Sequence, residues 1–116
     1  MGFKFEKLIV WQKSVDLVVR IYDITRKFPE CEKYNLISQM QRCGTSIPSN
    51  IAEGAGRNSS GFFKQFLGVA LGSAYELETQ IVICKKLNYI NAETYEQLVK
   101  DTTEIQRMIY SLQASR

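Results

Sequence analysis

Between Ser60 and Leu87 the chain reads SGFFKQFLGVALGSAYELETQIVICKKL, without a proline. Phe63, Leu67, Ala70, Ala74, Leu77, Ile81 and Cys84 recur at alternating spacings of four and three. That period lines one face of an α-helix and does not fit a strand, where every second residue shares a face. Phe62, Phe66, Val69, Leu71 and Tyr75 fill other faces of the first half. A helix apolar nearly all round is covered on more than one side. Gly68, Gly72, Ser73 and Ala74 let neighbours approach closely. Ser59 or Ser60 is the expected N-cap, and Asn88 the left-handed residue that ends the helix.

The same period predicts three more helices. The first runs from about Phe5 to Phe28, before Pro29. Its main stripe is Leu8, Trp11, Val15, Val18 and Tyr22, and a second lies beside it: Val10, Leu17, Ile21, Ile24 and Phe28. The next runs from about Asn35 to Ala55 on Leu36, Met40, Cys43, Ile47 and Ile51. Pro48 lies inside it and presses on the carbonyl of Gly44, four residues earlier, so the expected result is a kink. The Thr45 and Ser46 hydroxyls stand close enough to serve that carbonyl, and Gly54 and Gly56 end the helix. The last begins after Asn91, an N-cap with Glu93 in the first turn, and follows Tyr95, Leu98, Thr102, Ile105, Ile109 and Leu112 to near Ser115. Four helices joined by short turns make an all-α, antiparallel up-down-up-down four-helix bundle over residues 1–116, a single domain. No strand signal and no internal repeat is present.

Composition narrows the function. Of 116 residues 45% are apolar and 23% charged, and histidine is absent. Without histidine, the commonest general base and metal ligand are missing, so neither a catalytic triad nor a di-metal bundle site with its Glu-x-x-His motifs is expected. Ser46, Ser49 and Ser59 have no partnered base, and Glu53-Gly54-Ala55-Gly56-Arg57 lacks the lysine of a phosphate loop. The expectation is a protein that is not an enzyme and carries no cofactor and no metal. Cys31, Cys43 and Cys84 are widely spaced and read as buried reduced thiols of a cytoplasmic protein. No stretch approaches the roughly 20 apolar residues of a membrane span. The residues after Met1 lack a leader's apolar run, and Glu6 stands where myristoylation of Gly2 wants Ser or Thr.

Three segments carry a resemblance: Phe5 to Trp11 (FEKLIVW), Ser46 to Gly54 (SIPSNIAEG) and Ala70 to Gln80 (ALGSAYELETQ). With the four-helix spacing, the whole chain resembles the bacterial four-helix-bundle family labelled S23 ribosomal protein, first noticed as reading frames inside intervening sequences of 23S rRNA genes. The resemblance implies an RNA context. Similar bundles serve as accessory proteins of retroelements, and members of the wider group form five-fold rings, which implies a homopentamer. The chain departs from the family pattern at Gln41, where a second basic residue commonly precedes Arg42, at Cys43 and Gly44 in place of alanines, and at Ala55 in place of an aromatic.

Candidate sites follow from this frame. Lys plus Arg is 15 and Asp plus Glu 12. In an up-down-up-down bundle one end collects Lys4, Lys7, Lys13, Arg57, Lys64, Arg107 and Arg116 against Glu6 and Glu53, a surplus of five. The other end holds Arg26, Lys27, Lys33, Lys85 and Lys86 against Glu30, Glu32, Glu93 and Glu96, a surplus of one. The first set is the candidate nucleic-acid interface, weighed against plain solubilising charge. On helix 1, Asp16 with Arg20 and Asp23 with Lys27 read as i,i+4 pairs on a solvated face, with a phosphate stripe of Lys13, Arg20 and Lys27 as the alternative. Glu53, Glu76 and Glu78 are expected to pair with Arg42, Lys64, Asn50 or Gln80 at helix contacts. Phe62, Phe63 and Phe66, weighed against a base-stacking platform, read as core and interface packing, as do Trp11 and Tyr22. The surplus apolar faces predict a homo-oligomer, with Val10, Leu17, Ile21, Ile24, Phe28, Phe62 and Phe66 as its interface. Expected partners are copies of the chain, RNA or an RNA-associated protein, and no membrane. The alternative is a protein-binding adaptor, such as a reverse-transcriptase accessory factor.

Overall fold

The computed structural model describes residues 4–57 and 59–116, so the reading of Gly2 lies outside the described residues. Four helices carry the fold: α1 Ile9–Thr25, α2 Ser38–Ala55, α3 Ser60–Lys86 and α4 Ala92–Ala114. α2 packs on α1 and α3, and α4 packs on α3 and α1, closing an antiparallel bundle of 45 × 24 × 20 Å. No strand occurs among the described residues. The caps of the second half are those the sequence predicts. Ser59 Oγ accepts from the Phe62 N–H at 3.2 Å, Asn91 Oδ1 accepts from the Thr94 N–H at 2.8 Å, and Asn88 has φ 63°.

The first half differs from expectation in four ways. α1 begins at Ile9, because Leu8 is extended and Phe5–Lys7 forms a separate 3-10 turn. That turn is held by the Phe5 ring set edge-on to Trp11, 5.3 Å between centroids, and by Gln12 Nε2 donating to the Glu6 carbonyl at 2.8 Å. α1 also ends at Thr25 rather than Phe28, which lies in a turn with its N–H on the Thr25 carbonyl. The chain enters α2 through a π-helical stretch, Lys33–Ile37, so α2 starts at Ser38 rather than Asn35; it runs on through Pro48 as a single helix, as the sequence predicts. The hydroxyls expected at the Gly44 carbonyl go elsewhere: Thr45 Oγ1 donates to Gln41 O at 2.7 Å, and Ser46 Oγ bonds Ser73 Oγ of α3 at 2.9 Å.

The core corrects the reading of α1. Val10, Leu17, Ile21 and Phe28, expected at an oligomer interface, are buried in the bundle, and Ile24 packs against it. The stripe taken as the main one is the outer flank: Trp11, Val15 and Val18 are half-buried and Tyr22 is exposed. Ser14 and Thr25 explain the exchange. Both are fully buried, and each hydroxyl donates to its own helix, Ser14 to Trp11 O at 2.8 Å and Thr25 to Ile21 O at 2.7 Å. With the hydroxyl satisfied, a serine or threonine is tolerated against the core.

Candidate nucleic-acid interface

The start of α1, the α2–α3 turn and the end of α4 meet at one end of the bundle. Gln113 Nε2 donates to the Lys64 carbonyl at 3.1 Å, and the Arg116 guanidinium lies 4.7 Å from the Phe63 ring centre. Lys4, Lys7, Arg57, Lys64, Arg107 and Arg116 are all exposed. Arg57 pairs with Glu53 at 2.8 Å, and its guanidinium covers the Phe62 and Phe66 rings at 5.5 and 5.3 Å. Of these two aromatics, Phe62 is exposed and Phe66 half-buried, while Phe63 is in the core. Lys13 is bound by Glu104 of α4 at 3.2 Å, which lowers the end's surplus from five to four. At the opposite end Arg26 pairs with Asp23 at 3.2 Å, which cancels the surplus of one there. The helix 1 pairs read from the sequence do not form: Arg20 binds Asp101 of α4, and Asp23 takes Arg26 instead of Lys27.

The carboxylates settle differently from the expected pairing with Arg42 and Lys64. Glu53 takes Arg57, and Glu78 accepts from Gln106 Nε2 at 2.7 Å. Asn50 Nδ2 donates to Ser46 O and Oγ at 2.8 and 2.9 Å. Arg42 is exposed, and there is no buried Glu–Arg pair among the described residues. Arg42 and Glu76 line a polar groove of about 330 Å³ between α2 and α3 with Gln39, Cys43, Ser46 and Ser73. Gln80, one turn further along α3, is buried with its Oε1 unpartnered.

Burial and the neighbouring Glu76 push the Cys43 thiol up to about 11, and burial with the charge of Glu32 pushes Cys84 up to about 11. Both thiols are protonated at neutral pH and are poor nucleophiles. Cys31 corrects the expectation of three buried thiols, since it is exposed in the short turn before α2. Tyr89 donates to Glu32 Oε2 at 2.8 Å, and that bond raises its ionisation above the usual range. No group of three His, Cys, Asp or Glu side chains among the described residues is placed to hold a metal ion. None of their helices is long and apolar enough to cross a membrane.

The family model for 23S rRNA-intervening sequence protein matches residues 6–111. The chain belongs to this family. It is also similar to a solved structure from Bacteroides thetaiotaomicron VPI-5482, described as a protein with unknown function from the S23 ribosomal protein family. The two share 32% identity with a TM-score of 0.84, over 91% of this chain and 96% of the other. No curated protein matches this chain.

In this chain, two further grooves flank Arg107. One is an apolar cleft of about 500 Å³ between the start of α1 and the end of α4, lined by Leu8, Ile9, Val10, Met108 and Leu112 beside Arg107. The other, between α3 and α4, is bordered by Tyr75 and Tyr110. Sequence reasoning missed both tyrosines as site residues. Tyr75 was absorbed into the apolar faces of the third helix. Tyr110 carried a signal, since it is an aromatic off the α4 stripe, three residues after Arg107.

Proposed function

We propose that this protein is a non-catalytic, cytoplasmic helical bundle that assembles with copies of itself into a ring, a homopentamer on the family's pattern, and works with RNA or inside a ribonucleoprotein. The observation that carries the RNA reading is the collection of exposed cations at one end, against a balanced opposite end. A ring repeats that end around its axis and concentrates positive potential where phosphates are attracted. Assembly is supported by apolar side chains left outside the core. Phe62, Val69 and Ile83 recur along one exposed line of α3, and Val19 and Tyr22 are exposed on α1. The absence of histidine and the two protonated buried thiols support the non-enzymatic reading.

The test is a pull-down of the tagged protein from native cells at low and high salt, with bound RNA and protein identified, alongside light scattering. Recovered RNA that falls away as salt rises and a pentameric mass support the proposal. A monomeric mass overturns the assembly, and absence of RNA at low salt overturns the RNA role. The apolar cleft beside Arg107 favours a second reading, a protein-binding adaptor of the reverse-transcriptase accessory kind. Salt-resistant recovery of one protein in place of RNA selects it.

A further inference from the structure

Tyr75 of α3 and Tyr110 of α4 stand on the bundle surface 52% and 62% exposed. They border a groove of about 420 Å³ whose other lining residues are Thr103, Gln106, Arg107 and Ser111. Neither ring packs on another aromatic ring, and neither hydroxyl has a hydrogen-bond partner among the described residues. The lining contains no carboxylate. Glu104 of α4 is paired with Lys13, and Glu78 of α3 lies behind the lining, half-buried and accepting from the Gln106 amide at 2.7 Å. Arg107 forms no ion pair with a described residue and lies on the ridge between this groove and the α1–α4 cleft. The groove therefore offers two open π-faces, one guanidinium outside any ion pair and neutral hydrogen-bonding groups.

We propose that this α3–α4 groove binds single-stranded RNA, with bases stacking on Tyr75 and Tyr110 and a phosphate on Arg107. The proposal rests on the RNA reading above and adds to it a place and a mode. Every base has a π-face, so stacking on exposed rings grips a strand without reading its sequence. A duplex keeps its bases stacked on one another and offers those rings no face, so the groove selects unpaired strands. The guanidinium supplies the counter-charge to the backbone, and no carboxylate stands in the lining itself. Arg107 also ties the groove to the cationic end, so a strand leaving the tyrosines runs toward Lys4 and Lys7.

The experiment is a fluorescence-anisotropy titration at low salt of a short labelled oligouridylate and of a labelled hairpin duplex, with oligomer mass followed by light scattering. The wild-type protein is expected to bind the single strand more tightly than the duplex. Tyr75→Ala and Tyr110→Ala are each expected to weaken the single strand by about five- to a hundred-fold. Tyr75→Phe and Tyr110→Phe, which keep the π-face, are expected to bind like wild type. Arg107→Gln is expected to weaken binding and flatten the salt dependence by about 0.7 in logarithmic slope. If wild type binds the single strand and the alanine variants match it, the groove proposal falls and the RNA reading stands. If wild type binds neither probe, both fall. If the alanine variants change the oligomer mass and leave RNA affinity unchanged, the rings are a contact between copies and the proposal is overturned.

Discussion

At the scale of single residues, two glycines predict opposite outcomes. A Cβ at Gly54 would stand 2.7 Å from the Phe66 Cβ and 3.1 Å from Phe63 Cδ1, atoms held on the first turns of α3. Gly72 meets nothing within 4 Å in the middle of α3. Gly54→Ala overpacks the contact and should cost about 1–3 kcal/mol. Gly72→Ala relieves the backbone-entropy penalty of a mid-helix glycine and should stabilise by about 0.5–1 kcal/mol. Thermal melts followed by circular dichroism measure both. The buried thiols give a pH dependence. The fold raises Cys43 and Cys84 from 9.0 to about 11, so it favours their neutral form. Their contribution to stability is complete below pH 9 and is lost as pH rises toward 11, where the unfolded chain ionises first. The urea midpoint should fall across that window. At neutral pH a thiol reagent should label Cys31 rapidly, and Cys43 and Cys84 only on unfolding.

At the scale of elements, the caps show what can be read locally. Asn91 Oδ1 satisfies an N–H that the first turn of α4 leaves open, so Asn91→Ala should cost about 0.5–2 kcal/mol in urea unfolding. The ends of α3 and the start of α4 were legible because Ser59, Asn88 and Asn91 act on residues within a few positions of themselves. The start of α1 was not. Phe5 and Leu8 continue the apolar pattern, and the break at Leu8 depends on a ring contact and an amide bond that a periodic pattern does not encode. The inward face of α1 was misread for a related reason. Two adjacent stripes are similarly apolar, and Ser14 and Thr25 look polar until their hydroxyls are seen turned back on the helix. The cations of the candidate site were legible from residue type and topology. Their partners were not, because Lys13 meets Glu104 and Arg20 meets Asp101 only after α1 and α4 pack. Tyr110 escaped because a lone aromatic off the stripe shows its exposure only in three dimensions.

At the scale of the whole molecule, the proposed ring and the proposed RNA binding are coupled. Phe62, Val69 and Ile83 lie along the same outer line of α3, with Glu76 in register between the last two. A head-to-tail contact through such a line closes into a ring when the rotation between copies permits. The double exchange Val69→Gln with Ile83→Gln removes apolar area from that line and leaves every charge and the core untouched. Light scattering should then report a smaller assembly, with helical content unchanged by circular dichroism. RNA affinity should fall as well, although no cation has been altered. In a ring the second and later contacts of one strand are intramolecular, and avidity exceeds single-site affinity by about 10²–10⁴. A strand long enough to cross neighbouring bundles should therefore lose far more affinity than one confined to a single groove. Equal losses for long and short strands would mean that each bundle binds RNA alone, and an unchanged mass would mean that the α3 line is not the contact between copies.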